Sequence, residues 1–169
     1  MSIIQPTTTG HAASLEAPDA LQLLINDHRE VKAMFQRFQK LADAGGKGDE
    51  RMLLASQICV ALALHTQVEE EILYPAAREL LAKDEDLVDE AVVEHAAAKT
   101  LVAQLKTMTS DQPLFDAKVK VLGEYIDHHV QEEESELFPK LRKSSLDLEA
   151  MGEQIAWRKR QLMAMPEPS

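Results

Sequence analysis

The sequence predicts an all-α chain: an antiparallel up-down four-helix bundle with an extra C-terminal helix. Three observations carry that expectation. Apolar residues recur at helical spacing in four successive stretches, separated by short polar breaks. No stretch alternates polar and apolar residues as a half-buried strand would, and six glycines and seven prolines in 169 residues are too few for the turns of a sandwich or barrel. A short motif also recurs at an offset of 64 residues, so the chain reads as two copies of a helix pair.

Residues 1–17 are rich in Thr, Ser and Ala, without a sustained apolar run, and read as a flexible tail. The first helical stripe is Leu21, Leu24, Ile25, His28, Phe35 and Phe38, closed by the glycine-rich break from Ala44 to Asp49. The second is Leu54, Ile58, Ala61, Leu62, His65, Glu69 and Ile72, after which Pro75 is expected to interrupt or kink the helix. Asp84, Glu85 and Asp86 suit a helix N-terminus, where carboxylates meet the positive end of the dipole. The third stripe is Val88, Ala91, Val92, His95, Val102 and Leu105. Ser110 to Pro113 forms a turn and start signal. The fourth stripe is Val119, Leu122, Ile126, His129, Glu133 and Leu137, expected to end near Pro139. A fifth amphipathic segment, Leu146 to Met163, carries Trp157 and reads as a cap. The expected organisation is a bundle over residues 18–143, a packed C-terminal helix over 144–163 and a frayed end over 164–169.

The repeat holds the chemistry. His65-Thr-Gln-Val-Glu69-Glu70-Glu71-Ile-Leu-Tyr74-Pro75 matches His129-Val-Gln-Glu-Glu133-Glu134-Ser-Glu-Leu-Phe138-Pro139, and Asp27-His28 with Lys32 matches Glu94-His95 with Lys99. A lone histidine on an apolar stripe is usually a hydrogen-bonded core residue, and a lone His-x-x-x-Glu is usually a solvated pair. Here four of the six histidines, His28, His65, His95 and His129, sit one per helix on the apolar stripes, and two helices add Glu69 and Glu133 one turn later. Burying that set in a bundle core costs several kcal/mol per ion unless the groups are paired or coordinate metal. His11 falls in the tail and His128 turns about 100° off its stripe.

Six nitrogen and oxygen ligands without a thiolate disfavour structural zinc, and calcium or magnesium cages do not use imidazole. Mixed imidazole and carboxylate suits iron or manganese, and six residues suit two carboxylate-bridged ions about 3.5–4 Å apart. The pattern His28, His65-x-x-x-Glu69, His95, His129-x-x-x-Glu133 resembles the hemerythrin-like HHE cation-binding domain over about residues 20–142. The resemblance implies a non-haem di-iron site (Fe2+/Fe3+) with an oxo or hydroxo bridge. It would place His28 and His65 on one iron, His95 and His129 on the other, and Glu69 and Glu133 between them.

Two departures separate the chain from oxygen-carrying members of that family. Carriers have a further histidine four residues after the third-helix histidine, where this chain has Lys99. Their fourth-helix bridging acid is an Asp five residues after the histidine, where this chain has Glu133 at a spacing of four. Counting ligands then leaves about one open position on each metal. Two open positions suit peroxide turnover, so catalase- or peroxidase-like decomposition of hydrogen peroxide is the leading expectation, with enzymatic activity left open. The alternatives are reversible dioxygen or nitric oxide binding or sensing, iron storage or delivery, and a metal-free structural bundle.

Further residues are weighed beside these. Tyr125, one turn before His129, is either a ligand or hydrogen-bonding partner at the site or an ordinary core tyrosine. Lys99 either covers the vacant position or, like Lys32, snorkels to the surface. Glu132, and Glu70, Glu71, Glu134 and Glu136, read as solvated, as does the basic run Arg158-Lys159-Arg160. Cys59, the lone cysteine, excludes a disulfide framework within the chain and reads as inert.

The balance of 29 acidic against 18 basic residues, a net charge of −11, argues against nucleic acid and anionic membrane surfaces as partners. The longest apolar run, Ile58 to Leu64, is too short to span a bilayer, and no basic residue precedes Arg29 as a signal peptide would require. The expectation is a cytoplasmic monomer or small homo-oligomer acting on small molecules. Glu69 and Glu133 belong to the interior, so part of the acidity reads as a metal-site signature.

Overall fold

The computed structural model describes residues 18–83 and 85–164. The expected N-terminal tail and most of the frayed C-terminus lie outside them. Among the described residues five helices follow one another: α1 (Ala20–Asp43), α2 (Gly48–Leu80), α3 (Glu85–Lys106), α4 (115–142) and α5 (Leu148–Ala164). The first four form the bundle, and α5 lies against α1 and α2.

Local chemistry sets the ends. The Asp19 carboxylate accepts the Gln22 N–H at 2.8 Å and starts α1. Gly45, at φ 65°, ends it in the left-handed conformation, with the Gly46 N–H bonding the Leu41 carbonyl at 2.8 Å. The Asp147 carboxylate caps α5 through the Ala150 N–H at 3.0 Å. Gly152 lets α5 approach the start of α1: a Cβ there would sit 3.0 Å from both the Ala20 nitrogen and the Pro18 carbonyl oxygen.

Neither proline ends its helix: the regular α pattern is interrupted just before Pro75, as expected, and the fourth helix runs three residues past Pro139, near which its end was expected. Each is preceded by one wide π-turn, Glu69–Leu73 in α2 and Glu133–Leu137 in α4, and each helix then continues to Leu80 or Arg142. The Tyr74 N–H bonds the Glu69 carbonyl and the Phe138 N–H bonds the Glu133 carbonyl, five residues back rather than four. The widened turn makes room for a ring that carries no N–H and would press on the carbonyl four residues before it.

Two apolar clusters stack along the bundle axis. One gathers Leu21, Leu24, Leu73, Val88, Leu137 and Leu141 with Ile155 of α5. The other gathers Val31, Ile58, Leu62, Val102, Val119 and Leu122. The histidines lie between them in sequence on every helix and form the polar layer described below. By length and composition α2 would pass as a membrane-crossing helix, which its short unbroken apolar run does not suggest; half of its most apolar window is buried in the bundle, as in a core helix.

Candidate metal centre

Each bundle helix contributes one histidine to the polar layer, and the starts of the two π-turns contribute the carboxylates. His28, His65, His95, His129, Glu69 and Glu133 are all at most 5% exposed. They form two pairs. The His28 and His65 Nε2 atoms are 3.1 Å apart, and so are those of His95 and His129. The carboxylates span the pairs. Glu69 Oε2 lies 3.1 Å from His65 Nε2 and 3.3 Å from His95 Nε2. Glu133 Oε2 lies 3.4 Å from His28 Nε2 and 3.5 Å from His129 Nε2. Candidate ligand atoms of His28, His65, Glu69 and Glu133 fall within 4.8 Å of one another, as do those of Glu69, His95 and His129.

Four further carboxylates, all missed or set aside in the sequence, hold the outer ring nitrogens. His65 Nδ1 is 3.1 Å from Asp27, His129 Nδ1 2.9 Å from Glu94, His95 Nδ1 3.0 Å from Glu70 and His28 Nδ1 2.8 Å from Glu134. Each carboxylate is an acceptor only, so each ring places an N–H on Nδ1 and faces Nε2 inward, where it can carry a proton or, once deprotonated, a lone pair for a metal. The sequence reading of Glu70 and Glu134 as a solvated face is thus corrected. They follow Glu69 and Glu133 directly, and each reaches across to a histidine of the other repeat. Asp27 and Glu94, each directly before a histidine, serve the second and fourth helices. The signal lay in the repeat itself, since Glu-Glu and acid-His recur in both copies.

The result is a buried layer of imidazole nitrogens facing carboxylate oxygens. Both carboxylate oxygens of Glu69 and Oε2 of Glu133 are buried without a hydrogen-bond partner; the imidazole nitrogens near them lie at contact distance but out of alignment. Orphaned buried acceptors of this kind are rare and costly. A cation resolves them, and the donor set fits iron or manganese. Protons answer to the same field. Burial alone would lower His65, yet Glu69, Asp27 and Glu133 push it up to about 10. His129 is raised against its own burial by Glu94, Glu133 and Glu69. Glu69 is held well below the usual carboxylate range, against burial, by His65 and His95.

Tyr74 completes the layer. Its hydroxyl donates to Glu133 Oε1 at 2.9 Å and sits 3.2 Å from His95 Nε2. Burial, then Glu69 and Glu133, push the phenol well above its ordinary value, so it keeps its proton in this environment. The corresponding Phe138 stacks on the His28 ring, centroids 5.8 Å apart and 11° from parallel. An unbroken helix would point Tyr74 about 180° from His65; the extra residue in the π-turn brings it to about 80°. Helical periodicity alone therefore hid it.

Tyr125 is not the site tyrosine. It is 48% exposed. At 100° per residue it stands about 80° from the mean direction of Val119, Leu122, Ile126, His129 and Glu133, five buried residues of α4. Lys99 covers no metal position either: its ammonium lies at the surface, 2.6 and 2.7 Å from the two oxygens of Glu70. Lys32 likewise pairs at the surface, 2.5 Å from Asp127. The basic run on α5 is a docking contact rather than a free face. Arg158 holds Glu71 through two hydrogen bonds of 2.6 and 2.9 Å, and Lys159 binds Asp27.

Beside the layer, toward the second apolar cluster, lies a cavity of about 10 Å³ lined by His28, His65, His129, Val31, Leu62 and Ile126 among others. That is room for the centre of one water-sized molecule. A groove of about 610 Å³ between α1 and α4 reaches His28 and Glu134 from outside.

A model of the hemerythrin HHE cation-binding domain matches residues 19–141. A protein of Nostoc sp. named DNA nickase is 30% identical over 118 residues, covering 70% of this chain and 32% of that protein. An uncharacterized hemerythrin-like protein of Schizosaccharomyces pombe, C869.06c, is 24% identical over 129 residues, covering 76% of this chain and 62% of that protein. The chain thus spans about a third and about three fifths of the length of these two relatives. In fold it is similar to the crystal structure of a hemerythrin HHE cation-binding domain-containing protein of Mycobacterium kansasii, with a TM-score of 0.69 at 21% identity, over 86% of this chain and 87% of that one.

Proposed function

The chain belongs to the hemerythrin HHE cation-binding domain family, and from that premise we propose that its polar layer holds two iron ions and decomposes hydrogen peroxide. The observation that carries the reading is the layer of inward ligand atoms, four imidazole nitrogens around two carboxylates, three of whose four oxygens lack a hydrogen-bond partner. His28 and His65 would hold one ion, His95 and His129 the other, with Glu69 and Glu133 shared. Manganese would suit the same donors.

Iron bound there would supply two-electron redox chemistry, so that one peroxide is oxidised to dioxygen, releasing two protons and two electrons, and a second takes up both to become two waters. No outside reductant is needed. The chain's own groups do the rest. Asp27, Glu70, Glu94 and Glu134 hold the imidazole N–H groups and so fix the rings. Tyr74 keeps a proton inside the layer, 2.9 Å from Glu133 Oε1. Val31, Leu62 and Ile126 help wall the small space beside the layer, which has room for the centre of one water-sized molecule and none for a large substrate.

Iron-loaded protein mixed with hydrogen peroxide is expected to evolve about half a mole of dioxygen per mole consumed, over many turnovers. Stoichiometric bleaching without turnover would reject the enzymatic reading. The small cavity also favours a second reading, reversible binding of dioxygen or nitric oxide, which predicts a stable, reversible absorption change and no oxygen evolution. The nickase name does not transfer in our reading: the match spans a third of that protein, and a chain of net charge −11 repels phosphodiesters.

A further inference from the structure

Outside the buried layer, one other cluster among the described residues gathers metal-ligating side chains. His128 on α4 turns its Nε2 toward two carboxylates, 3.3 Å from Glu132 Oε1 and 3.5 Å from Glu94 Oε1 on α3. The three candidate ligand atoms lie within 4.8 Å of one another. The His128 side chain is 64% exposed, so the cluster opens to solvent. Glu94 belongs to both places: its other oxygen, Oε2, is 2.9 Å from His129 Nδ1.

The pseudo-twofold repeat shows what such a position accepts. Asp27 in the first repeat corresponds to Glu94 and bonds His65 as Glu94 bonds His129. There a cation is already seated, since the Lys159 ammonium of α5 lies on Asp27. The residues at the places of His128 and Glu132 are Leu64 and Val68, which offer no ligand atoms. Leu64 lines one hollow with Lys159, and Val68 is fully buried. So the repeat covered by α5 supplies its carboxylate with a built-in cation. The other repeat surrounds the equivalent carboxylate with an imidazole and a second carboxylate. One imidazole with two carboxylates, and water for the remaining positions, suits a divalent first-row transition ion in exchange with solvent.

We propose that Glu94, His128 and Glu132 form a surface site for a divalent first-row transition-metal ion, from which the buried centre is filled. The filling step rests on the reading that the layer holds iron; the surface site does not. Glu94 is the link, with one oxygen on the surface ion and the other on the outer nitrogen of a buried ligand.

Metal-free full-length protein titrated with Mn2+, with free Mn2+ read by electron paramagnetic resonance, is expected to bind two ions tightly and a third weakly. His128→Ala and Glu132→Gln, both at the surface, are each expected to lose the weak ion and keep the tight pair. Mixing with Fe2+ is expected to fill the variants' centre to the same final content about tenfold more slowly. Only two ions on the wild-type chain, or three on either variant, would overturn the surface site. Unchanged filling rates would overturn its role in loading. A weak ion lost with His128 and no tight pair would uphold the surface site and refute the buried centre.

Discussion

The two halves of the polar layer are built on one plan and finished differently. In each, two histidines present Nε2 inward and rest Nδ1 on carboxylates, and both halves share Glu69 and Glu133. Around the His95–His129 pair stand Tyr74, Lys99 on Glu70, and the open cluster at His128. Around the His28–His65 pair stand the stacked Phe138, Lys159 on Asp27, and the apolar Leu64 and Val68. Repetition thus makes a two-centre layer cheaply, from one motif used twice. The inequality of the halves comes from single substitutions and from a fifth helix that covers only one of them. Two metal ions held here would therefore be distinct in ligand field, solvent access and order of filling.

The largest expected effect strikes what the halves share. Glu69→Gln removes a carboxylate that touches one histidine of each pair. Metal analysis of natively purified protein is expected to fall from two ions per chain to less than one. Retention of two would show that Glu69 is not shared.

The next effect is on pH. His65 is raised to about 10 in the metal-free chain, above its unfolded value of 6.5. Its contribution to stability is therefore complete below about pH 6.5 and lost as pH rises through 10, by roughly a few kcal/mol. Thermal melts of metal-free protein are expected to show that loss. Metal-loaded protein, whose imidazoles are held neutral, is expected to lack it, and its metal affinity should rise with pH over the same range.

Tyr74→Phe makes the two halves alike at this position. It leaves Glu133 Oε1 buried without its donor and is expected to cost about 1–3 kcal/mol, read as a lower melting temperature of the metal-free chain. The converse Phe138→Tyr should change the optical spectrum of the loaded centre, if the halves differ through these two rings. Asp27→Asn and Glu94→Gln each loosen one ring in one half, and each should weaken one metal ion by about tenfold while sparing the other. Competition with a chelator, read ion by ion, separates them. The smallest effect is at the edge of α5, where Arg158→Ala breaks a surface pair with Glu71 and should lower the melting temperature only slightly.

Much of the site was legible because its spacing is helical. His28, His65, His95 and His129 fall on their stripes, and His-x-x-x-Glu puts Glu69 and Glu133 on the same faces one turn on. The structure brings all six together. Legibility failed where the helix departs from 3.6 residues per turn. The π-turns moved Tyr74 inward, and with Tyr74 out of view Tyr125 was the tyrosine weighed for the site beside an ordinary core role. It failed again where a partner lies on another helix. Nothing local tells that Glu134 meets His28, or that Lys159 meets Asp27 more than a hundred residues away.

The acid excess divides along the same line. Composition shows it, and the stripe positions of Glu69 and Glu133 place a little of it. The structure gives four more carboxylates to the histidines and one, Glu132, to the cluster at the surface.

By itself, then, the sequence determined an all-helical bundle, its twofold repetition and the identity of its inward histidines and glutamates, because periodicity and repetition are properties of one chain read in order. The tertiary structure decided which acid serves which histidine, which tyrosine enters the layer and which half lies open. Those follow from helices meeting side by side and from the two wide turns that break the period.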